Sequence, residues 1–258
     1  MIRDRERGTS PQTYARTCGL FYLVIIVTAM FAEGFVRGRL IVSGDAASTA
    51  ANITGSPLLF RAGLASDLIN CALDVAVAVI LYALLKPVNR PLALLAALLR
   101  IAADTILGLV GLLHLADIVI LGGADYLKVF SPRQLESLAY LALRLHGLGY
   151  GISLIFFGFG CGVLRYLVHR STYLPRLIGM LLVVTGACYL FDSFATIVAP
   201  EVVARLYPWP LLPGFVTELA LCSWLIVKGV DVQEWDVAVR AQRGIGPGID
   251  AGGIAASP

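Results

Sequence analysis

Long apolar runs separated by short polar joints dominate the chain, and each run matches the roughly 20 residues that a helix needs to cross a bilayer core about 30 Å thick. Six such runs lie near Tyr14–Phe35, Leu58–Leu85, Leu92–Leu121, Leu135–Val168, Leu177–Val198 and Leu211–Val230. None alternates with a period of two, and all are far longer than the about 10 residues of a barrel strand. The pattern therefore predicts an all-α bundle of six transmembrane helices, with residues 1–13 preceding it, residues 14–230 forming the membrane domain and residues 231–258 forming a tail. The first run is read as a retained helix, because Ala29-Met30-Phe31-Ala32 offers no small-x-small cleavage site. Asp45–Ile53 and Glu201–Trp209 are long enough for short helices, with Tyr207 and Trp209 at interface depth. Val230–Arg243 has the charge pattern of a segment lying on headgroups, and the Gly, Ala and Pro content of Gly244–Pro258 predicts disorder.

Composition supports the same class. Hydrophobic residues make up 58% and charged residues 14% of the 258, against about 45–50% and 25% in soluble domains. A net charge of +3 is too small to argue for nucleic-acid binding. The basic residues are distributed unevenly. Arg3, Arg5, Arg7, Arg16, Lys86, Arg90, Arg165, Arg170, Arg176, Lys228, Arg240 and Arg243 fall on one side, and Arg37, Arg39, Lys128, Arg133 and Arg205 on the other. The positive-inside rule then puts both termini in the cytoplasm. The five cysteines fall in or beside the runs, at spacings that match no disulfide framework or zinc motif.

Ionisable side chains inside the runs carry the chemistry, because a charge in hydrocarbon persists only if it faces protein or water. Glu33, Asp67, Asp74, Asp104, Asp117, Asp192 and Glu218 stand against Arg61, Arg100 and Arg144, with His114 and His146 besides. Asp67, Asn70, Cys71 and Asp74 form one stripe of the second run, which must look inward. Arg100 and Asp104 are spaced for an ion pair, and Asp117 falls towards the outer interface. On the fourth run Arg144, Gly147, Gly151, Gly158 and Gly162 share a face suited to close backbone packing, while His146, Tyr150 and Ser153 share the opposite one. That two-sided character predicts a central helix. Ser153 and Ser193 read as serines bonded to their own backbone rather than as nucleophiles.

Several separated segments resemble one family. They are Ala15-Arg16-Thr17-Cys18-Gly19-Leu20-Phe21-Tyr22-Leu23, Gly44-Asp45-Ala46-Ala47, Thr49-Ala50-Ala51-Asn52-Ile53, Leu59-Phe60-Arg61, Leu84-Leu85-Lys86-Pro87-Val88-Asn89-Arg90, Phe156-Phe157-Gly158 and Tyr173-Leu174-Pro175-Arg176-Leu177-Ile178-Gly179. Together they are similar to DUF4386, over about residues 14–230. The resemblance implies a multi-span protein of a bacterial plasma (inner) membrane and carries no activity.

Three functional classes fit these residues. The first is a binding or transport protein whose acid-rich cavity, expected in the outer half of the bundle and lined by Asp67, Asn70, Asp74, Arg100, Asp104, Arg144, His146, Tyr150, Asp192 and Glu218, takes a proton, a cation or a small amine-like molecule. The excess of carboxylates over arginines favours protons and cations over anions. The second is a structural or regulatory protein whose charges are internally paired. The third is an intramembrane hydrolase in which His114, His146, Asp192 and Glu218 hold a metal that activates water. Beyond the lipid bilayer and such a small molecule or cation, the sequence points to no partner and names no cofactor.

Overall fold

A computed structural model describes residues 10–206 and 208–242. Arg3, Arg5, Arg7, Tyr207, Arg243 and the tail Gly244–Pro258 lie outside the described residues. Among the described residues the regular structure is entirely helical. We label the helices α1 (Pro11–Leu40), α2 (Ala46–Gly55), α3 (Pro57–Leu85), α4 (Arg90–Ile120), α5 (Pro132–Arg170), α6 (Arg176–Val198), α7 (Pro200–Leu206), α8 (Leu212–Val227) and α9 (Val232–Gln242). Helices α1, α3, α4, α5, α6 and α8, the last with its leading turn Trp209–Leu211, are each long and apolar enough to cross a membrane. The chain is a multi-pass membrane protein.

Local sequence chemistry sets the helix starts. Ser10, Asn89 and Ser131 accept hydrogen bonds from backbone N–H groups three residues on, and each is followed by a proline in the first turn, where its missing N–H costs nothing. Ser131 and Gln134 form a reciprocal capping box. Helix α1 changes character partway: Met30–Arg37 is wound as a π-helix before a last α-turn to Leu40. The wider winding rotates Glu33 and Arg37 towards α3, where Gly63 lets Val36 approach closely.

The six spanning helices pack in chain order, α1 on α3, α3 on α4, α4 on α5 and α5 on α6, then α6 on α8, and α8 closes the ring on α1. A closed ring leaves a middle that all six helices line. One end is filled by aliphatic and aromatic side chains, among them Leu81, Leu84, Leu85, Leu164, Leu167 and Leu225. The start of α1 and the end of α8 meet there: Gln12 donates to the Lys228 carbonyl at 3.0 Å and accepts from the Val230 N–H at 3.1 Å. Gly229, at φ +70°, makes that left-handed turn possible. Helix α9 docks beside it, with Trp235 Nε1 donating to the Leu84 carbonyl at 3.1 Å.

The opposite end has a smaller apolar cluster of Val36, Leu40, Ile53, Phe60 and Leu143, covered by α2. The short helix expected over Asp45–Ile53 is therefore present as α2, and α7 occupies most of the second expected segment. Outward-facing side chains such as Leu109, Leu112, Ile197 and Val227 are exposed, as lipid contact requires.

Helix α5 departs from its expected role. It is one member of the ring; Arg144 is exposed, and Gly147 and Gly162 are exposed with nothing within 4 Å of where a Cβ would stand. Tight packing and polar groups lie on one side instead, along His146, Gly149, Ser153 and Gly160. A Cβ on Gly149 would fall on Val110 of α4, and Gly158 meets the Gly186 carbonyl and Leu190 of α6. The small residues that matter are those on the buried stripe. The five cysteines are free, and Cys18, Cys161 and Cys222 are buried.

Candidate functional site

Two polar clusters interrupt the apolar interior, one at mid-bundle and one under α2. The central cluster is built around Arg100 of α4. Its Nη2 donates to Asp74 of α3, and its Nη1 donates to the Tyr22 hydroxyl of α1 at 2.7 Å. The guanidinium lies 4.9 Å from the Tyr22 ring centroid and 4.8 Å from that of Phe157, so it is held between two aromatic faces. Beside it is a cavity of about 130 Å³ lined by residues of α1, α3, α4, α5, α6 and α8, including Asn70, Asp104, Tyr150, Ser153, Tyr189 and Glu218. Three carboxyl groups, those of Asp74, Asp104 and Glu218, thus surround one obligate cation. Asp104 Oδ2 is buried with no hydrogen-bond partner.

The ion pair expected between Arg100 and Asp104 is replaced by Arg100–Asp74. Four residues apart on one helix, Arg100 and Asp104 are neighbours along α4, but the guanidinium reaches across to Asp74 of α3 and the Tyr22 hydroxyl of α1, and its buried Nε has no partner. Asp104 is left facing the cavity.

The outer cluster forms where the π-wound end of α1 meets α3, α4 and α5. Arg37 forks onto Asp67, with Nη1 to Oδ2 at 2.7 Å and Nη2 to Oδ1 at 3.1 Å, while its Nε donates to Glu33 at 2.5 Å. His114 and His146 stack with ring centroids 3.8 Å apart and planes inclined by 26°, and the edge of Phe60 covers His114. Ligand atoms of Asp67, His114 and His146 all lie within 4.8 Å of one another. His114 is 2% exposed, and its Nε2 has no hydrogen-bond partner. A cleft of about 580 Å³ opens here, lined by Glu33, Arg37, His114, Arg144, His146 and Tyr150 among others. Tyr150 lines both spaces and so marks the boundary between them.

The ten residues expected to line one cavity are therefore divided. Asn70, Asp74, Arg100, Asp104, Tyr150 and Glu218 belong to the central space, and Asp67, Arg144, His146 and again Tyr150 to the outer one. Asp192 lines neither and is buried with Oδ1 unpartnered. The expected metal set of His114, His146, Asp192 and Glu218 is likewise not assembled: the two histidines converge, but with Asp67, while Glu218 lines the central cavity. Asp117, expected at the interface, is fully buried with both carboxylate oxygens unpartnered. Ser153 bonds the Tyr150 carbonyl at 2.7 Å, as its mid-helix position suggests, whereas buried Ser193 has no partner.

Arg37 is the residue that sequence reasoning misses. Counted as a loop cation, it becomes an interior one because the π segment carries α1 to Leu40. The signal available was the four-residue spacing of Glu33 and Arg37. Tyr22, Phe157 and Tyr189 give no signal, since aromatics are common in any spanning helix.

A family model described as a domain of unknown function (DUF4386) matches residues 17–229. The chain belongs to the DUF4386 family. An uncharacterised protein of Archaeoglobus fulgidus is 28% identical to it over 163 residues, covering 63% of this chain and 80% of that relative. No solved structure matches the chain. The DUF4386 match extends over both polar clusters and leaves their chemistry to be argued from geometry.

Proposed function

We propose that this protein binds or transports a proton or small cation, such as a simple protonated amine, through the polar centre of its helical ring. The observation that carries this reading is the central cavity, with three carboxyl groups, one guanidinium already committed to Asp74, and an unpartnered Asp104 oxygen. Two of those carboxyl groups have no cation of their own. In so dry a place they must either hold protons or receive a positive charge from outside. A volume of about 130 Å³ admits a few waters or an ammonium-sized ion. It is well below the roughly 300–1,000 Å³ of pockets for drug-sized ligands.

The bias of basic residues favours a plasma (inner) membrane orientation with the Gln12–Gly229 end in the cytoplasm. The wider cleft under α2 then faces outward, and Tyr150 separates it from the central cavity. A reporter fused after Gln242 is expected to be active only on the cytoplasmic side. A structural or regulatory role with internally paired charges is the second reading. Pairing of Arg37 and Arg100 favours it, and the unpartnered Asp104 counts against it.

The test is reconstitution into liposomes containing a pH-sensitive dye. With a pH gradient imposed, in the presence and absence of methylammonium, the protein should collapse the gradient faster than protein-free liposomes do. Asp104→Asn and Glu218→Gln should abolish the difference. Rates equal to empty liposomes, together with no equilibrium binding of labelled methylammonium, would sink the proposal in both its forms.

A further inference from the structure

We propose that Asp67, His114 and His146 form a binding site for a transition-metal dication of the zinc class, and that Arg37 competes with the metal for the Asp67 carboxylate. The inference does not rest on the central cavity and concerns different residues.

Three observations carry it. First, the donor set is two imidazoles and one carboxylate from three different helices, with ligand atoms mutually within 4.8 Å. Imidazole with carboxylate suits zinc, copper, nickel and iron, whereas magnesium and calcium prefer all-oxygen sites. Second, His114 is almost fully buried and its Nε2 has no partner. Burying a ring nitrogen without a hydrogen bond is costly, and a metal ion would satisfy it as a Lewis acid. Third, the histidines line a cleft of about 580 Å³, so three protein ligands would leave a coordination position open to water or another small ligand.

Bond lengths set how far the ligands must move. Zinc–nitrogen and zinc–oxygen distances of about 2.0–2.2 Å in a tetrahedron place ligand atoms about 3.3 Å apart. From separations of up to 4.8 Å, side-chain rotations must close a gap on the order of 1.5 Å. The 26° between the histidine planes leaves the rings to turn out of their stack as they converge.

Arg37 is the element that makes the site conditional. Its fork occupies both Asp67 oxygens, and its Nε is already on Glu33. When a dication takes an Asp67 oxygen, the guanidinium loses part of its fork and retains Glu33, the more exposed of its two partners. Metal and Arg37 are thus alternative counter-ions for one carboxylate, and removing the arginine removes both a competitor and a nearby like charge.

The experiment uses the tag-free, full-length protein in lipid nanodiscs, titrated with Co²⁺ as a spectroscopic stand-in for Zn²⁺. Co²⁺ gains visible absorption when it leaves six-coordinate water for a nitrogen- and oxygen-liganded site of lower coordination. The expected result is intensified absorption at one equivalent, displaced by Zn²⁺ and not by Mg²⁺. His114→Gln and His146→Gln, which leave the Arg37–Asp67 pair intact, should each lose it. Arg37→Gln should bind about tenfold more tightly or better. Absence of the absorption, or its persistence in both histidine variants, would overturn the site. Unchanged or weaker affinity in folded Arg37→Gln would overturn the competition. Asp104→Asn and Glu218→Gln should keep Co²⁺ binding, so this site and the central transport reading fail separately.

Discussion

Arg37 and Arg100 are both guanidiniums paired with a carboxylate of α3, one two turns of helix from the other, yet their surroundings differ. The Arg100 and Asp74 side chains are 6% and 5% exposed and are closed in by Tyr22 and Phe157. Arg37 and Asp67 are 13% exposed each, beside Glu33 at 50% and an open cleft. Enclosure determines what each pair can do. Held between two aromatic faces and bonded to Asp74 and Tyr22, Arg100 is a fixed anchor tying α1, α3 and α4 together. Arg37 has a solvated alternative in Glu33 and water in the cleft, so its hold on Asp67 is exchangeable.

The largest test of this contrast is to remove each arginine in turn. Arg100→Gln strands Asp74 in a dry interior and should cost about 3–5 kcal/mol, read as loss of the folded form in thermal unfolding. The double change Arg100→Met with Asp74→Asn removes both charges and should recover much of that loss. Arg37→Gln should cost less, because the Asp67 side chain is 13% exposed against 5% for Asp74. Equal destabilisation by the two single changes, or no recovery in the double one, would show that enclosure is not what separates the pairs.

Helix spacing is a smaller lever on the same comparison. Gly149 holds α5 against Val110 of α4, three residues from His146 and four from His114 on those helices. Gly149→Ala should overpack this contact by about 1–3 kcal/mol and pull the histidine rings apart, weakening Co²⁺ binding. Gly147, with nothing near its Cα, is the control. Gly147→Ala should be neutral or, through helix propensity, stabilising by up to about 1 kcal/mol. A reversed order would restore the outward glycine face as the packing face.

These contrasts explain how far the sequence could be read. The six spans and α2 were legible because hydropathy and capping residues act locally: Ser131 and Gln134, for instance, mark the start of α5 without any tertiary contact. The polar stripe of Asp67, Asn70 and Asp74 was legible for the same reason, being periodic along one helix. Partner choice was not. Whether Arg100 pairs with Asp104, four residues on, or with Asp74 depends on how α3 sits against α4, and that is set by packing around the whole ring. The π segment of α1 was equally hidden, since Met30–Arg37 contains no proline and its single glycine, Gly34, is tolerated in an ordinary α-helix as well. That segment carries Arg37, which pairs with Asp67, the carboxylate that α3 places beside the histidines.

The smallest expected effect lies at the start of α2. Asp45 caps α2, with Oδ1 accepting from the Ser48 N–H at 2.9 Å and Oδ2 bonded to the Ser48 hydroxyl at 2.6 Å. These bonds to Ser48 hold the Asp45 carboxyl below the usual carboxylate range. A depressed value in the folded state means that the cap contributes at pH above the ordinary carboxylate value and is lost as pH falls through the lowered one. Amide exchange along Ala46–Gly55 should therefore quicken at acid pH, while α4 and α5 stay protected. Asp45→Asn keeps a capping oxygen and has no proton to gain, so its α2 exchange should lose this pH step. If the step persists in the variant, protonation elsewhere controls the opening of α2. The Gly44 N–H bond to the Tyr140 hydroxyl, which ties the same loop to α5, would then be the next contact to remove.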